Sequence, residues 1–117
     1  MYLPHPQTDQ ISLPNVLSVL GDPTRLAIVA ELARKDDGPV TCSHFLDICS
    51  KTNLSYHLAK LRESGVTHTE ASGTSRFTTL RRADLDRRFP GLLDSVLAGT
   101  GDLASPAVEK AGNAQSA

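Results

Sequence analysis

Along "KTNLSYHLAKLRESG", residues 51–65, the side chains of Lys51, Thr52, Asn53, Ser55, Tyr56, His57 and Lys60 supply hydrogen-bond donors, and Glu63 is the only acid. A helix kept only for packing usually mixes the signs of its surface charge. Donors in this pattern suit a polyanion whose edges carry acceptors. Asn pairs in bidentate fashion with adenine, and Ser and His donate to or accept from several bases. Lys51, Thr52, Lys60 and Arg62 are better placed for phosphates, which fix register without reading sequence. Further on, Arg76 follows a glycine-containing turn and suits entry into a minor groove, while Arg81 and Arg82 could hold flanking phosphates.

The charge is segregated along the chain. Residues 51–82 hold six basic and two acidic residues, and the remainder holds six basic and eleven acidic, within a net charge of −1. Such a basic segment on an acidic body is the footprint of a polyanion-binding face, although an unevenly charged solvated surface gives the same numbers.

Enzymatic chemistry finds no purchase. There is no glycine-rich phosphate loop, nucleophile elbow or two-histidine metal motif. Glu31, Asp36, Asp37 and Asp47 read as ordinary helix-surface and turn acids. The soft ligands are few: Cys42-x-His44 and then Cys49. Thiolate and imidazole suit zinc or a softer ion, but two cysteines seven apart lie about 10 Å apart along a continuous helix. That is too far for a disulfide without rearrangement. Small buried hydrophobes, metal ligands and redox-sensing thiols all remain open for them, and no cofactor is predicted beyond a possible metal effector.

The elements that must position these residues follow from periodicity. At 117 residues the chain is one domain with a modest core, so oligomerisation is expected to add apolar contact. Residues 1–12 form a loose arm. Leu13, Val16, Leu17 and Leu20 recur at the spacing of an amphipathic helix that Gly21 ends. Asp22-Pro23 then caps and starts a second, largely apolar helix. "RKDDGP" is a turn, and a short third helix around 43–49 points Phe45, Leu46 and Ile48 inward. In the quoted segment Thr52 or Ser50 is the N-cap, Leu54, Leu58 and Leu61 form the inward stripe, and Gly65 terminates. Short helix, short turn and longer helix make a helix-turn-helix, with the reading helix at about 53–64.

After Gly65 the period changes. "VTHTEASGTSRFTTL" reads as two strands joined by a small turn, a wing over 66–80. His68 falls on that wing and His5 in the arm. Leu85, Phe89, Leu92, Leu93, Val96 and Leu97 then keep helical spacing, with Pro90 kinking the helix or dividing it in two. Residues 99–117 are small and polar, a disordered tail. The fold expected is mainly α with a small β-hairpin wing, a winged helix-turn-helix over 13–98. Its first and last apolar stripes exceed what a small core needs, which marks them as a dimer interface. The composition gives no secretory signal and no membrane span, so a cytoplasmic location is the expectation.

The segments "LGDPTRLAIVAELA", "LSYHLAKLRESGV" and "GTSRFTTL", in that order, resemble the ArsR-type winged-helix transcriptional repressors. The resemblance covers roughly residues 13–98. It implies a homodimer joined through the first and last helices and bound to an imperfect inverted repeat in double-stranded DNA. It also implies release by a metal ion or another signal. The Cys-x-Cys pair that metal-sensing members often carry is replaced by Cys42-x-His44. The Asp/His site of the last helix is absent, since residues 81–98 contain no histidine, and arsenic sites usually take three thiolates where this chain has two. The rival reading is a winged helix that binds protein without specific DNA affinity, and a repressor indifferent to any ligand is a third.

Overall fold

The computed structural model describes residues 4–100. Three side-chain caps start the main helices. Ser12 accepts from the Asn15 amide at 3.4 Å and opens α1 (Leu13–Leu20); Asp22 accepts from the Arg25 amide at 3.0 Å and opens α2 (Pro23–Arg34). Ser50, not Thr52, caps α3 (Lys51–Ser64), taking the Asn53 amide at 3.3 Å. Each cap satisfies an amide that the helix itself leaves without a partner.

Gly65 ends α3 in the left-handed region, at φ 90°, and a Cβ there would lie 2.6 Å from Cγ1 of buried Ile11. Both the backbone sign and the close approach demand glycine. The chain then forms the wing, β2 (Thr67–Ser72) and β3 (Ser75–Leu80), paired antiparallel from Thr67↔Leu80 to Ser72↔Ser75. A third strand is added that alternation could not announce: β1, only Val40–Thr41, pairs antiparallel with β3 and gives the order β1-β3-β2. It is reached through the 34–39 turn, where Gly38 sits at φ 90° with its Cβ position 2.6 Å from the Thr78 carbonyl.

One core joins these pieces. Val16 and Leu20, Ile28 and Leu32, Leu54, Leu58 and Leu61, Val66 and Leu80 form one buried cluster with Phe45, which is fully buried. Phe45 comes from a 3-10 helix, Cys42–Asp47, where a short third helix was expected. The tighter winding turns Leu46 outward, 45% exposed, so only Phe45 and Ile48 of the three point in as expected.

Pro90 divides the last element into α4 (Arg82–Arg88) and α5 (Leu92–Gly99), with Gly91 at φ 84° between them. The N-terminal arm is not loose over its described part. Ile11 is buried, Thr8 donates to Asp84 at 2.8 Å, Arg81 donates to the Pro6 carbonyl at 2.8 Å, and His5 stacks on His68 of β2. The expected tail falls, beyond Thr100, outside the described residues.

The terminal stripes are shared between core and surface. Val16, Leu20, Leu85 and Leu93 are buried within the chain itself, so these four are not interface residues but core. Leu13 and Leu17 remain exposed, at 39% and 49%, while Phe89, Leu92, Val96 and Leu97 are partly buried. No helix among the described residues is long and apolar enough to cross a membrane.

Candidate nucleic-acid interface

Because Leu54, Leu58 and Leu61 face the core, the 3.6-residue period puts Lys51, Thr52, Asn53, Ser55 and Tyr56 in solvent. Lys60 is partly exposed and lays its ammonium 5.4 Å from the Tyr56 ring centroid. The outward surface therefore carries amide, hydroxyl, phenol and ammonium groups on a rigid helix.

One edge of α3 borders a cleft of about 590 Å³. The wing and the 3-10 helix form its other walls. Lys51 and Arg62 from α3 and Arg76 from β3 line it with Thr41, Ser43, Ser55, Thr74 and Ser75, and no carboxylate of the described residues does. The Arg62 Nε is sealed from solvent and has no acceptor among the described residues. Three cations without a counter-charge among the described residues make the cleft a place where an anion is favoured.

Arg81 and Arg82 do not belong to this group. Arg81 binds Asp84 at 3.0 Å as well as the Pro6 carbonyl. Arg82 grips Asp37 through two contacts, 2.7 and 3.1 Å, and reaches Asp94 at 3.2 Å. The bond to Asp37 raises the Arg82 guanidinium pKa above its ordinary value. Both side chains tie the base of the wing to the arm, the 34–39 turn and α5, and both are engaged within the chain. His57 is also engaged internally: its ring is only 14% exposed, with Nδ1 3.1 Å from an Arg25 guanidinium nitrogen and 4.0 Å from Asp22.

The possible metal ligands point apart. The Cys42 thiol lies 3.5 Å from the Thr78 hydroxyl and lines the cleft, while His44 Nε2 is 2.6 Å from Glu31. Cys49 is partly buried, and burial followed by the nearby Asp22 carboxylate raises its thiol pKa, which disfavours the thiolate needed for ligation or attack. No group of three or more His, Cys, Asp or Glu side chains converges among the described residues. Glu31 is not the surface acid that its sequence context suggests. It is buried, chelated by Arg34 at 2.9 and 2.8 Å, and its pKa is lowered by Arg34 first and His44 next.

Two contributors escaped the sequence reading. Arg25 lies in the first turn of α2, and its guanidinium reaches His57 of α3. The hydroxyls of Thr41, Ser43, Thr74 and Ser75 join the cleft only because β1 brings residues 41–43 beside the wing. An arginine in the first turn of a helix opened by Asp22-Pro23, two residues beyond the proline, is the one sequence signal for it.

Comparison with known proteins agrees with this arrangement. Residues 20–70 match the family model described as a helix-turn-helix domain. The chain is 29% identical over 92 residues to an uncharacterized HTH-type transcriptional regulator of Bacillus subtilis strain 168, YceK, covering 77% of this chain and 91% of that protein. It also superposes on the crystal structure of an ArsR family transcriptional regulator with a TM-score of 0.57 at 25% identity, covering 78% of this chain and 93% of that one.

Proposed function

We propose that this chain, matched by a helix-turn-helix family model and similar to an ArsR family regulator, is an ArsR-type winged helix-turn-helix transcriptional regulator that binds DNA, a repressor acting as a homodimer on an inverted-repeat operator. The recognition helix α3 enters the major groove with Asn53, Ser55 and Tyr56 against base edges. Lys51, Lys60 and Arg62 take phosphates on either side, and the wing brings Arg76 to flanking DNA. The observation that carries this reading is the cleft between α3 and the wing, with three cations on its walls and no acid among the described residues. Each chain has one α3, so two copies are needed to occupy successive major grooves about 34–36 Å apart. The exposed leucines of α1 and the partly buried apolar side chains of α5 supply the surface for that pairing.

The reading invokes no cofactor and names no releasing signal. Fluorescence anisotropy tests it, using DNA from immediately upstream of the gene with excess unrelated competitor at two salt concentrations. Competitor-resistant binding that weakens steeply with salt is the expected result. Binding abolished by competitor would count against it and favour a module that binds protein.

A further inference from the structure

Arg25 is anchored at both ends of its reach before it meets α3. Its backbone amide donates to the Asp22 cap at 3.0 Å, and its Nε donates to the Val19 carbonyl, in the last turn of α1, at 2.9 Å. With Nε fixed, the planar guanidinium has little freedom, and Nη1 is delivered 3.1 Å from Nδ1 of His57. A guanidinium only donates. Across this contact Nδ1 accepts, the Asp22 carboxylate 4.0 Å from the same nitrogen being beyond hydrogen-bond distance, and a neutral imidazole that accepts at Nδ1 carries its proton on Nε2.

The other nitrogen is not sealed from solvent. His57 Nε2 makes no hydrogen bond to a described residue, and it is absent from the polar atoms sealed from solvent without a partner. On α3 the ring lies one turn from Asn53 and less than one turn from Lys60, at the edge of the core stripe, where it is 14% exposed. Tyr56 meets the ring edge-on, with centroids 5.4 Å apart.

Resting on the DNA-binding reading above, we propose that Arg25 is a specificity-setting positioning residue: it holds His57 as an Nε2–H donor, so that this position of the recognition helix accepts only base edges that offer an acceptor. A free histidine would serve either way, donating to purine N7, guanine O6 or thymine O4, or accepting from cytosine N4 or adenine N6. Arg25 removes the second option. It touches no base and acts through the ring.

The test has two arms. In the full-length protein labelled with ¹⁵N-histidine, long-range ¹H–¹⁵N spectra at about pH 8 report which ring nitrogen holds the proton. His57 is expected as Nε2–H, becoming a tautomer mixture in Arg25→Met and returning in Arg25→Lys, with the His57→Gln spectrum identifying the signal. In the second arm, every single base-pair change in a half-site is titrated by anisotropy. Arg25→Met should flatten the preference at one base pair by about two- to ten-fold, the worth of one hydrogen bond, with the salt slope unchanged. An Nδ1–H ring in the wild type overturns the proposal. So does an unchanged tautomer in Arg25→Met, or a changed tautomer with the same base preference. If Arg25→Met does not fold, Arg25→Lys and the wild-type spectrum still decide the tautomer. A wild type with the Nε2–H ring that prefers no duplex would instead refute the DNA-binding reading itself, and with it the reader role.

Discussion

Arg76 stands in solvent at the wing's end, whereas Arg82 lies between Asp37 and Asp94. The two guanidiniums should therefore answer differently to truncation. Arg76→Ala is expected to weaken binding to every duplex and to lower the slope of log affinity against log salt by about one. Arg82→Ala should leave that slope alone and lower stability by about 1 kcal/mol, the range of a partly exposed charge-assisted pair. Anisotropy across a salt series, paired with urea unfolding, separates the two effects, and a reduced slope for Arg82→Ala would refute the assignment. The sequence made Arg76 legible because a glycine turn followed by arginine places it at a hairpin tip whatever surrounds it. It misplaced Arg81 and Arg82 because their partners, Pro6 and Asp37, are remote in the chain. Periodicity says which face a residue is on, and nothing about what lies across from it.

Between residue and fold, the joint from α2 to the 3-10 helix turns on Glu31. Arg34 and His44 hold its carboxylate below the usual pKa, and Asp84 is likewise lowered, by Thr8 first and then Arg81. A depressed folded pKa means the native state binds the proton less readily than the unfolded chain. The stabilisation is thus complete above the unfolded carboxylate value of about 4.3 and is lost as pH falls through the folded values. Urea unfolding between about pH 3 and 7 should show stability falling below about pH 4.5, and Glu31→Gln should flatten that fall while lowering stability near neutrality. An unaltered acid limb in the variant would show that Glu31 does not contribute. At the junction of α3 and the wing, Gly65→Ala must adopt a left-handed backbone and press on Ile11, at an expected cost of about 1–3 kcal/mol by thermal or urea unfolding. A variant as stable as the wild type would mean that the arm yields. These elements were mostly readable: caps, leucine stripes and Gly65 are local signals. The two-residue β1 and the 3-10 winding at Phe45 were not, because both are imposed by what packs against them.

For the whole molecule, the question is what covers Leu13 and Leu17. Four of the ten apolar residues in the terminal stripes, Val16, Leu20, Leu85 and Leu93, are used up by the chain's own core. The stripes alone could not reveal this, since a helix period marks an apolar face without saying whether its partner lies in the same chain. What remains outside is small: two exposed leucines on α1, and Phe89, Leu92, Val96 and Leu97 at partial burial. If that remainder joins two copies, Leu17→Lys places a charge in the interface without touching the core or α3. The proposal then expects sedimentation velocity to show a dimer for the wild type and a folded monomer for the variant. Affinity for a single half-site should persist, because α3 and the wing are intact. Affinity for the full inverted repeat should fall by about a hundredfold or more, since the second half-site is then no longer held at high effective concentration. A monomeric wild type that still prefers the full repeat, or a variant that stays dimeric, would move the interface away from α1 and α5. The intact half-site affinity is the decisive control, because it separates loss of pairing from loss of the reading surface.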